Sequence, residues 1–317
     1  MTLLKKLCVF GGKIETTPGT AETLTATEAA YNVYDLEIVP DIPIDTREAQ
    51  GRFGTQRGIP GGQKGKATFK HDLAFNGLAV PTWANLLFPA CGLIKTGNVF
   101  APKTQSPDAP SASVKTLTIG KWMNGKFSSI YGAMGTVKWS WPTSKICVFE
   151  FEFEGVLGDE VDAAMPAPTY PTDNKLKAAG GPATFDGVNI CMESMSLELA
   201  NSLYVRECSG PLKGYEYAVI TDRKPKVTGT PESKLVAAQD RMLLFRNGTE
   251  KVLRYTVPAP GYNSGTGAKA VDFLASLAQI SELNEGDRSG VSIDDITWML
   301  NQSLSTGDDD FSITFNI

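Results

Sequence analysis

The strongest pattern along the chain is the alternation of phenylalanine and glutamate over residues 149–155, FEFEFEG. Period 2 separates alternate side chains onto two faces only in a β-strand, so this segment is predicted to be a strand with one buried and one charged face. Residues 311–317, FSITFNI, alternate in the same way with Ser, Thr and Asn on the polar side. Similar alternation between residues 31 and 44, and from Val114 onward, predicts a mainly β protein.

Alternating segments recur at a nearly constant spacing. Arg47-Glu48 and Arg206-Glu207 are 159 residues apart, Lys66 and Lys226 are 160 apart, and the two Phe-rich strands are 162 apart. Recurrence in one order with a small drift is typical of a duplicated unit, although short β-segments also resemble one another by chance. The predicted organisation is an N-terminal arm over residues 1–30, a β domain over 31–157, a linker over 158–184 and a second β domain over 185–317.

Two short segments have helical rather than alternating patterns. Residues 81–89 begin and end with proline, and the second segment is Asp240 to Phe245. Because both occupy the same place in their halves, each β domain is predicted to carry one short flanking helix. The linker contains four prolines and is predicted to be stiff, whereas residues 11–30 are predicted to form an arm that becomes ordered on a partner surface.

Length and composition are those of an ordinary globular protein of two domains, with 317 residues, 42% hydrophobic and 21% charged. No apolar run reaches the length of a membrane helix, and the N-terminus lacks a secretory signal, so the protein is predicted to be made in the cytoplasm without a membrane partner. Residues 51–150 contain 12 Lys and Arg, whereas residues 151–200 contain nine acids and two basic residues. Such regions either attract each other between neighbouring molecules or are simply solvated.

Motifs of enzymes, cofactor sites and metal sites are missing from the sequence. There is one histidine, His71, and the five cysteines have no paired spacing, so they are interpreted as small buried residues. The acidic run Asp308 to Asp310 lacks the interleaved spacing of a calcium loop and is interpreted as a solvated turn. The sequence therefore predicts no enzyme activity, no cofactor and no metal.

One long loop, from Glu48 to Gly65, combines many glycines with basic residues. This composition predicts a projecting loop or hairpin that acts as a docking element or contacts nucleic acid. The candidate residues for contacts between subunits or rings are Glu48, Arg52, Arg57 and Lys64.

Together these segments resemble the major tail tube proteins of long-tailed, non-contractile bacteriophages. The resemblance covers nearly the whole chain and is one of order and pattern. Its parts are the arm K-x-E-x-x-P-G-T over residues 13–20, Arg47-Glu48, the basic Gly-rich loop, the Trp83 helix, LTIG over 117–120, Gly125-Lys126, GAMGT over 132–136 and FEFEG over 151–155.

The resemblance implies β-sandwich domains that form rings, and rings that stack into a hollow virion tail tube through which DNA passes without specific binding. It implies contacts with tail tip, tape measure and tail terminator proteins. Two tube domains per chain favour a trimer with pseudo-six-fold symmetry, while a hexamer stays possible. Glu150, Glu152 and Glu154 are candidates for an acidic wall facing the lumen, or equally for an outer solvent face.

A protein of another class also fits the sequence. A tandem β-sandwich binding module, such as a carbohydrate-binding adhesin, requires exposed aromatic side chains against which sugar rings stack. Trp122, Trp139 and Trp141 are the candidates for such a surface, although the latter two alternate as core residues do.

Overall fold

The computed structural model describes residues 6–48, 51, 53–107, 113–263 and 268–317. This part of the chain is mainly β, as predicted, and its two helices are α1 (Thr82–Ala90) and α2 (Arg241–Arg246). The strands are β1 (Cys8–Ile14), β2 (Tyr34–Asp41), β3 (Ile44–Asp45), β4 (Ile59–Pro60), β5 (Lys64–Asp72), β6 (Leu93–Thr96), β7 (Val99–Pro102), β8 (Leu117–Met123), β9 (Lys126–Pro142), β10 (Val148–Leu157), β11 (Val161–Asp162), β12 (Ala183–Phe185), β13 (Val188–Asn189), β14 (Met192–Glu198), β15 (Asn201–Glu207), β16 (Tyr215–Arg223), β17 (Lys226–Pro231), β18 (Glu250–Pro258), β19 (Ala270–Arg288), β20 (Val291–Leu300) and β21 (Ser312–Asn316).

The first half is built on an antiparallel sheet with the order β2-β5-β10-β9-β8-β1. The Phe-Glu segment forms β10, as predicted, and lies between β5 and β9. Phe149, Phe151 and Phe153 are fully buried, while the glutamates between them face outward. Helix α1 covers the buried face, where the ring centroids of Trp83 and Phe88 lie 5.1 and 5.5 Å from that of Phe149.

The second half repeats this strand order as β14-β17-β20-β19-β18-β12. In both halves two paired strands are connected through a hairpin, a helix follows, and three consecutive strands complete the sheet. The strand in the position of β10 is β20, whereas the C-terminal strand β21 pairs with β19 and with β7 of the first half. The two Phe-rich strands, 162 residues apart, are therefore not equivalent. The spacing between equivalent strands changes after the helices, because only the first half has the hairpin β6–β7 before its last three strands.

Helix α2 begins at the predicted place. The Asp240 carboxylate accepts a hydrogen bond from the Leu243 backbone N–H at 2.8 Å, which satisfies one of the unpaired amides of the first turn. Both predicted helices are thus confirmed.

One hydrophobic core extends through both halves. Strand β9 pairs with β14 of the second half, with Trp139 opposite Leu197 and Trp141 opposite Met195. The Trp141 ring lies 5.4 Å from that of Tyr255, which belongs to the second half, and one cluster of buried residues contains side chains from both sheets. The two halves are consequently joined edge to edge and share a core, and the domain boundaries drawn from the repeat stay a prediction.

The segments predicted as arm and linker are in part built into the first half. Residues 8–14 form β1 and pair with β8, so this portion of the predicted arm needs no partner chain to become ordered. The backbone N–H and C=O groups of β8 pair with those of β1. The Gly- and Thr-rich sequence of this region does not indicate the pairing. In the predicted linker, Leu176 and Ala178 are buried, and the Leu176 N–H donates to the Leu73 carbonyl oxygen at 2.8 Å.

The cysteines differ in burial, and Cys8 is half-buried. Cys91 and Cys147 are buried as predicted, and burial raises the pKa of the Cys147 thiol to about 12. Cys191 and Cys208 are exposed, so the interpretation of all five as buried residues was wrong for these two. Neither helix in the described ranges is long and apolar enough to cross a membrane.

Candidate functional site

The outward face of β10 carries the three candidate glutamates, and each stands beside lysines of the neighbouring strand. Glu150 Oε1 lies 3.3 Å from Lys70 Nζ, and Glu152 forms an ion pair with Lys66. Glu154 is directly opposite Lys66 in the pairing of β10 with β5. The face that the sequence offered as either an acidic wall or an outer solvent face therefore carries paired charges of both signs.

This alternation of charge continues across the junction between the halves. One row of cross-strand neighbours passes from β5 to β20, and its first five members alternate strictly in sign. The Lys226 and Glu198 side chains are 3.2 Å apart, as an ion pair of the second half. In order the row is Lys70, Glu150, Lys138, Glu198, Lys226 and Met299.

The sequence concealed this row because its members come from six strands. Only the spacing Lys66-x-x-x-Lys70 within one alternating strand indicated that lysines share a face of β5. Register between strands, which decides whether a lysine stands opposite a glutamate, is fixed by tertiary structure. What results is a broad polar sheet face with little net charge.

The predicted loop from Glu48 to Gly65 contains β4, which pairs with β3 before the loop, so the hairpin begins at Ile44, earlier than the predicted loop. Glu48 bridges to Thr55 near the tip of the hairpin, and Arg57 lies exposed between Thr55 and β4. Lys64 is the first residue of β5, where its Nζ lies 3.2 Å from Asp41 Oδ2. Arg52 lies outside the described residues.

A second hairpin, formed by β15 and β16, has the same register as the first. Each cross-strand pair of the first hairpin has a counterpart that is 159 residues later on the outgoing strand and 160 later on the returning strand. The pairs are Ile44 with Pro60, Asp45 with Ile59 and Glu48 with Thr55, and the counterparts are Leu203 with Ile220, Tyr204 with Val219 and Glu207 with Tyr215. The repeated Arg-Glu pair thus marks equivalent positions of two structural copies.

Glu15, which the sequence did not single out as a site residue, is a buried carboxylate directly after β1. Its oxygens accept hydrogen bonds from the Thr116 and Thr118 hydroxyls, at 2.6 and 2.8 Å, and from the N–H groups of Gly19 and Gly132, at 2.8 and 2.6 Å. Glu15 thereby ties the segment after β1 to β8 and β9. The spacing K-x-E-x-x-P-G-T contains the residue but gives no sign of its burial.

Other candidate chemistry has structural roles. Trp122, Trp139 and Trp141 are buried, so they offer no exposed platform for a sugar. Asp308 and Asp310 are held by Arg223, whose Nη2 lies 3.4 and 2.8 Å from their carboxylates. His71 is buried, with Nδ1 2.6 Å from the Asp72 carbonyl oxygen. In the ranges described, no group of three or more His, Cys, Asp and Glu is placed to hold a metal ion.

Comparison with known proteins agrees with the mainly β fold. A family model described as phage tail tube protein matches residues 6–317, almost the entire chain. A comparison with curated protein sequences finds no match. Because the family match extends over both halves, including both hairpins and the polar face, the chain belongs to the phage tail tube protein family.

Proposed function

We propose that this protein assembles into rings of three chains, and that the rings stack into the hollow tail tube through which viral DNA passes. The observation that carries the proposal is the repeated strand order within one chain, joined by the pairing of β9 with β14. Each chain then supplies two tube-like units, over residues 31–157 and 185–317, with 1–30 as an N-terminal extension and 158–184 as the connection. Rings of six chains are the alternative.

Ring closure follows from repeating the contact that already joins the two halves. Strand β2, the counterpart of β14, has β5 as its partner in the described structure, and the C-terminal part of β19, the counterpart of β9, has β20. Pairing β19 of one chain with β2 of the next satisfies both edges and closes the sheet. A closed ring also prevents uncontrolled edge-to-edge aggregation.

The polar sheet face forms the channel wall in this proposal, with Glu150, Glu152 and Glu154 towards the lumen. Lysine side chains bind DNA by contacting its phosphates, which releases counterions condensed on the DNA. Lys66 and Lys70 are already paired with carboxylates of β10, so they contribute little to such binding. A wall of paired charges supports passage of DNA without specific binding.

The remaining parts of the proposal rest on family membership. A virion tail component of this type is made in the bacterial host and contacts the tail tip, the tape measure and the tail terminator proteins. Its role is structural rather than enzymatic.

Electron microscopy of the purified protein, combined with the mass of the assembled ring, tests this function. We expect rings or tubes containing three chains per ring, with pseudo-six-fold features in projection. Six chains per ring contradict the proposal that both halves are equivalent units of the ring, but they agree with the tube function. A protein that stays monomeric at high concentration, alone and with tail tip components, contradicts the function itself.

A further inference from the structure

The second hairpin, formed by β15 and β16, packs against the sheet of the first half. Strands β15 and β16 lie over β9 and β10 of the first half, where Val205, Tyr215 and Tyr217 form one buried cluster with Met134 and Val156. On the same surface, Lys213 Nζ donates to the Leu157 carbonyl oxygen at 2.6 Å. This contact joins the hairpin of one structural copy to the sheet of the other.

The first hairpin has the same register but no such packing. Every residue from Asp41 to Glu48 is exposed, including Ile44 at 65%. On the returning side, Ile59 is 63% exposed and Phe53, near the tip, is fully exposed. An element that leaves several large apolar side chains in solvent is typical of a surface that becomes covered on assembly.

A groove on the second half stands where the second hairpin lies on the first half. Lys66 pairs with Glu154, which pairs with Met134, while Lys226 pairs with Met299, which pairs with Gln279. Met299 and Gln279 are therefore the counterparts of Glu154 and Met134. Around this position is an open groove of about 1380 Å³, bordered by Glu250, Leu277, Met299, Asn301 and Leu304.

We propose that strands β3 and β4 of one chain, with the described residues between them, occupy this groove on the second half of a neighbouring chain in the same ring. The inference rests on the proposed function and names the contact that holds adjacent chains together beside the strand pairing. The occupant is a second copy of this chain, because the matched hairpin and the matched surface are already joined within each chain. One mode of packing thus occurs once inside the chain and once between chains.

The chemistry of the two contacts differs in a complementary way. Arg57 stands in the place of Tyr217, and Thr55 in that of Tyr215, so the first hairpin is the more polar. The groove is also the more polar surface, since Gln279 and Asn301 replace Met134 and Val156. Polar partners on both sides are expected of surfaces that meet water before assembly.

One charge pair follows from this placement. Asn301 Nδ2 donates to Glu250 Oε1 at 2.7 Å and to Gln279 Oε1 at 3.0 Å, which places the Glu250 carboxylate beside the position equivalent to Val156. Arg57 enters from the neighbouring chain at the position of Tyr217, within the cluster that contains Val156. Arg57 therefore meets Glu250 across the interface.

Charge reversal tests this pair. We expect Arg57→Glu and Glu250→Arg each to raise the concentration needed for ring formation by about tenfold or more, because like charges then face each other across the interface. Combining the two reversals restores assembly to within about threefold of the original protein. Lys234→Glu, the same change of charge at an exposed residue outside the groove, is the matched control and leaves assembly unchanged.

Sedimentation over a concentration series, with electron microscopy of the same samples, measures these effects. Circular dichroism of each variant confirms that the fold is retained. Single reversals that assemble like the original protein, or a double variant that is no better than either single one, overturn the docking while leaving the ring. Variants that form rings but cannot stack also overturn it, because the hairpin then acts between rings. An original protein that forms no rings contradicts the proposed function and the docking with it.

Discussion

At the scale of single residues, Glu15 is a buried carboxylate that joins separate parts of the first half. Four donors from three parts of the chain converge on its carboxylate, so replacing it removes the partner of each of them. We expect Glu15→Ala to lower the free energy of unfolding by about 3 kcal/mol, because buried donors left without an acceptor retain their full desolvation penalty. Urea unfolding measures the loss. Glu285→Ala, which removes an exposed carboxylate on β19, is the control, and equal losses in the two variants contradict the role of Glu15.

His71 couples stability to pH. Burial lowers its pKa to about 4, below the ordinary value of 6.5, so the folded protein holds the imidazole neutral. Between pH 6.5 and about 4, the unfolded chain binds a proton on the His71 imidazole that the folded protein does not bind. Stability from this group is present above pH 6.5 and is lost as the pH falls from 6.5 towards 4, by on the order of 1 kcal/mol per pH unit.

The measurement is the unfolding free energy across that window for the original protein and for His71→Gln. The nearby ion pair of Asp72 and Lys175, whose Oδ2 and Nζ atoms are 2.6 Å apart, is common to both proteins. A smaller pH slope in the variant is expected. Identical slopes would assign the acid sensitivity to carboxylates alone.

At the scale of elements, strands β5 and β10 balance one another's charge. We expect the double variant Glu150→Gln with Glu152→Gln to bind duplex DNA about tenfold more tightly at low salt, because Lys70 and Lys66 lose their carboxylate partners and become available to phosphates. Fluorescence anisotropy over a salt series measures the affinity, and its salt dependence steepens by about two phosphate contacts.

The matched control for this prediction is Glu207→Gln with Glu285→Gln. It changes the net charge equally at exposed residues on other strands. If both double variants gain DNA affinity to the same extent, the effect comes from net charge rather than from the released lysines.

Elements were also the scale at which the sequence was most informative. Strict alternation identified β10, two prolines delimited α1, the position of α2 in the second half matched that of α1 in the first, and the Arg-Glu repeat indicated a duplication. Strand β1 escaped prediction because Gly11 and Gly12 interrupt its alternation, and glycine adds no side chain to the pattern. The equivalence of β10 with β20 was not apparent from the sequence, because their partner strands β9 and β19 differ in composition. Where β9 has Trp139 and Trp141, β19 has Glu285 and Asp287 in its exposed C-terminal part.

At the scale of the whole molecule, the two halves share one hydrophobic core, whereas the sequence predicted two separate domains. Trp141 reaches Tyr255 and Phe273, at 5.4 and 5.5 Å, so the core of one sheet is completed by side chains of the other. Contacts between segments so distant in sequence leave no local pattern. For the same reason, the sequence revealed the glutamates of the polar face but not the lysines that pair with them, and revealed the first hairpin but not the groove that it fits.

The pairing of β9 with β14 has a consequence for the kinetics of assembly. In a ring of three duplicated chains, half of the contacts between units form during folding, inside one chain, and need no encounter between molecules. Linked units meet at an effective concentration far above that of the free protein. The rate of ring formation then depends on bringing together three bodies rather than six, so rings nucleate at lower protein concentrations than rings of single units with equally strong contacts.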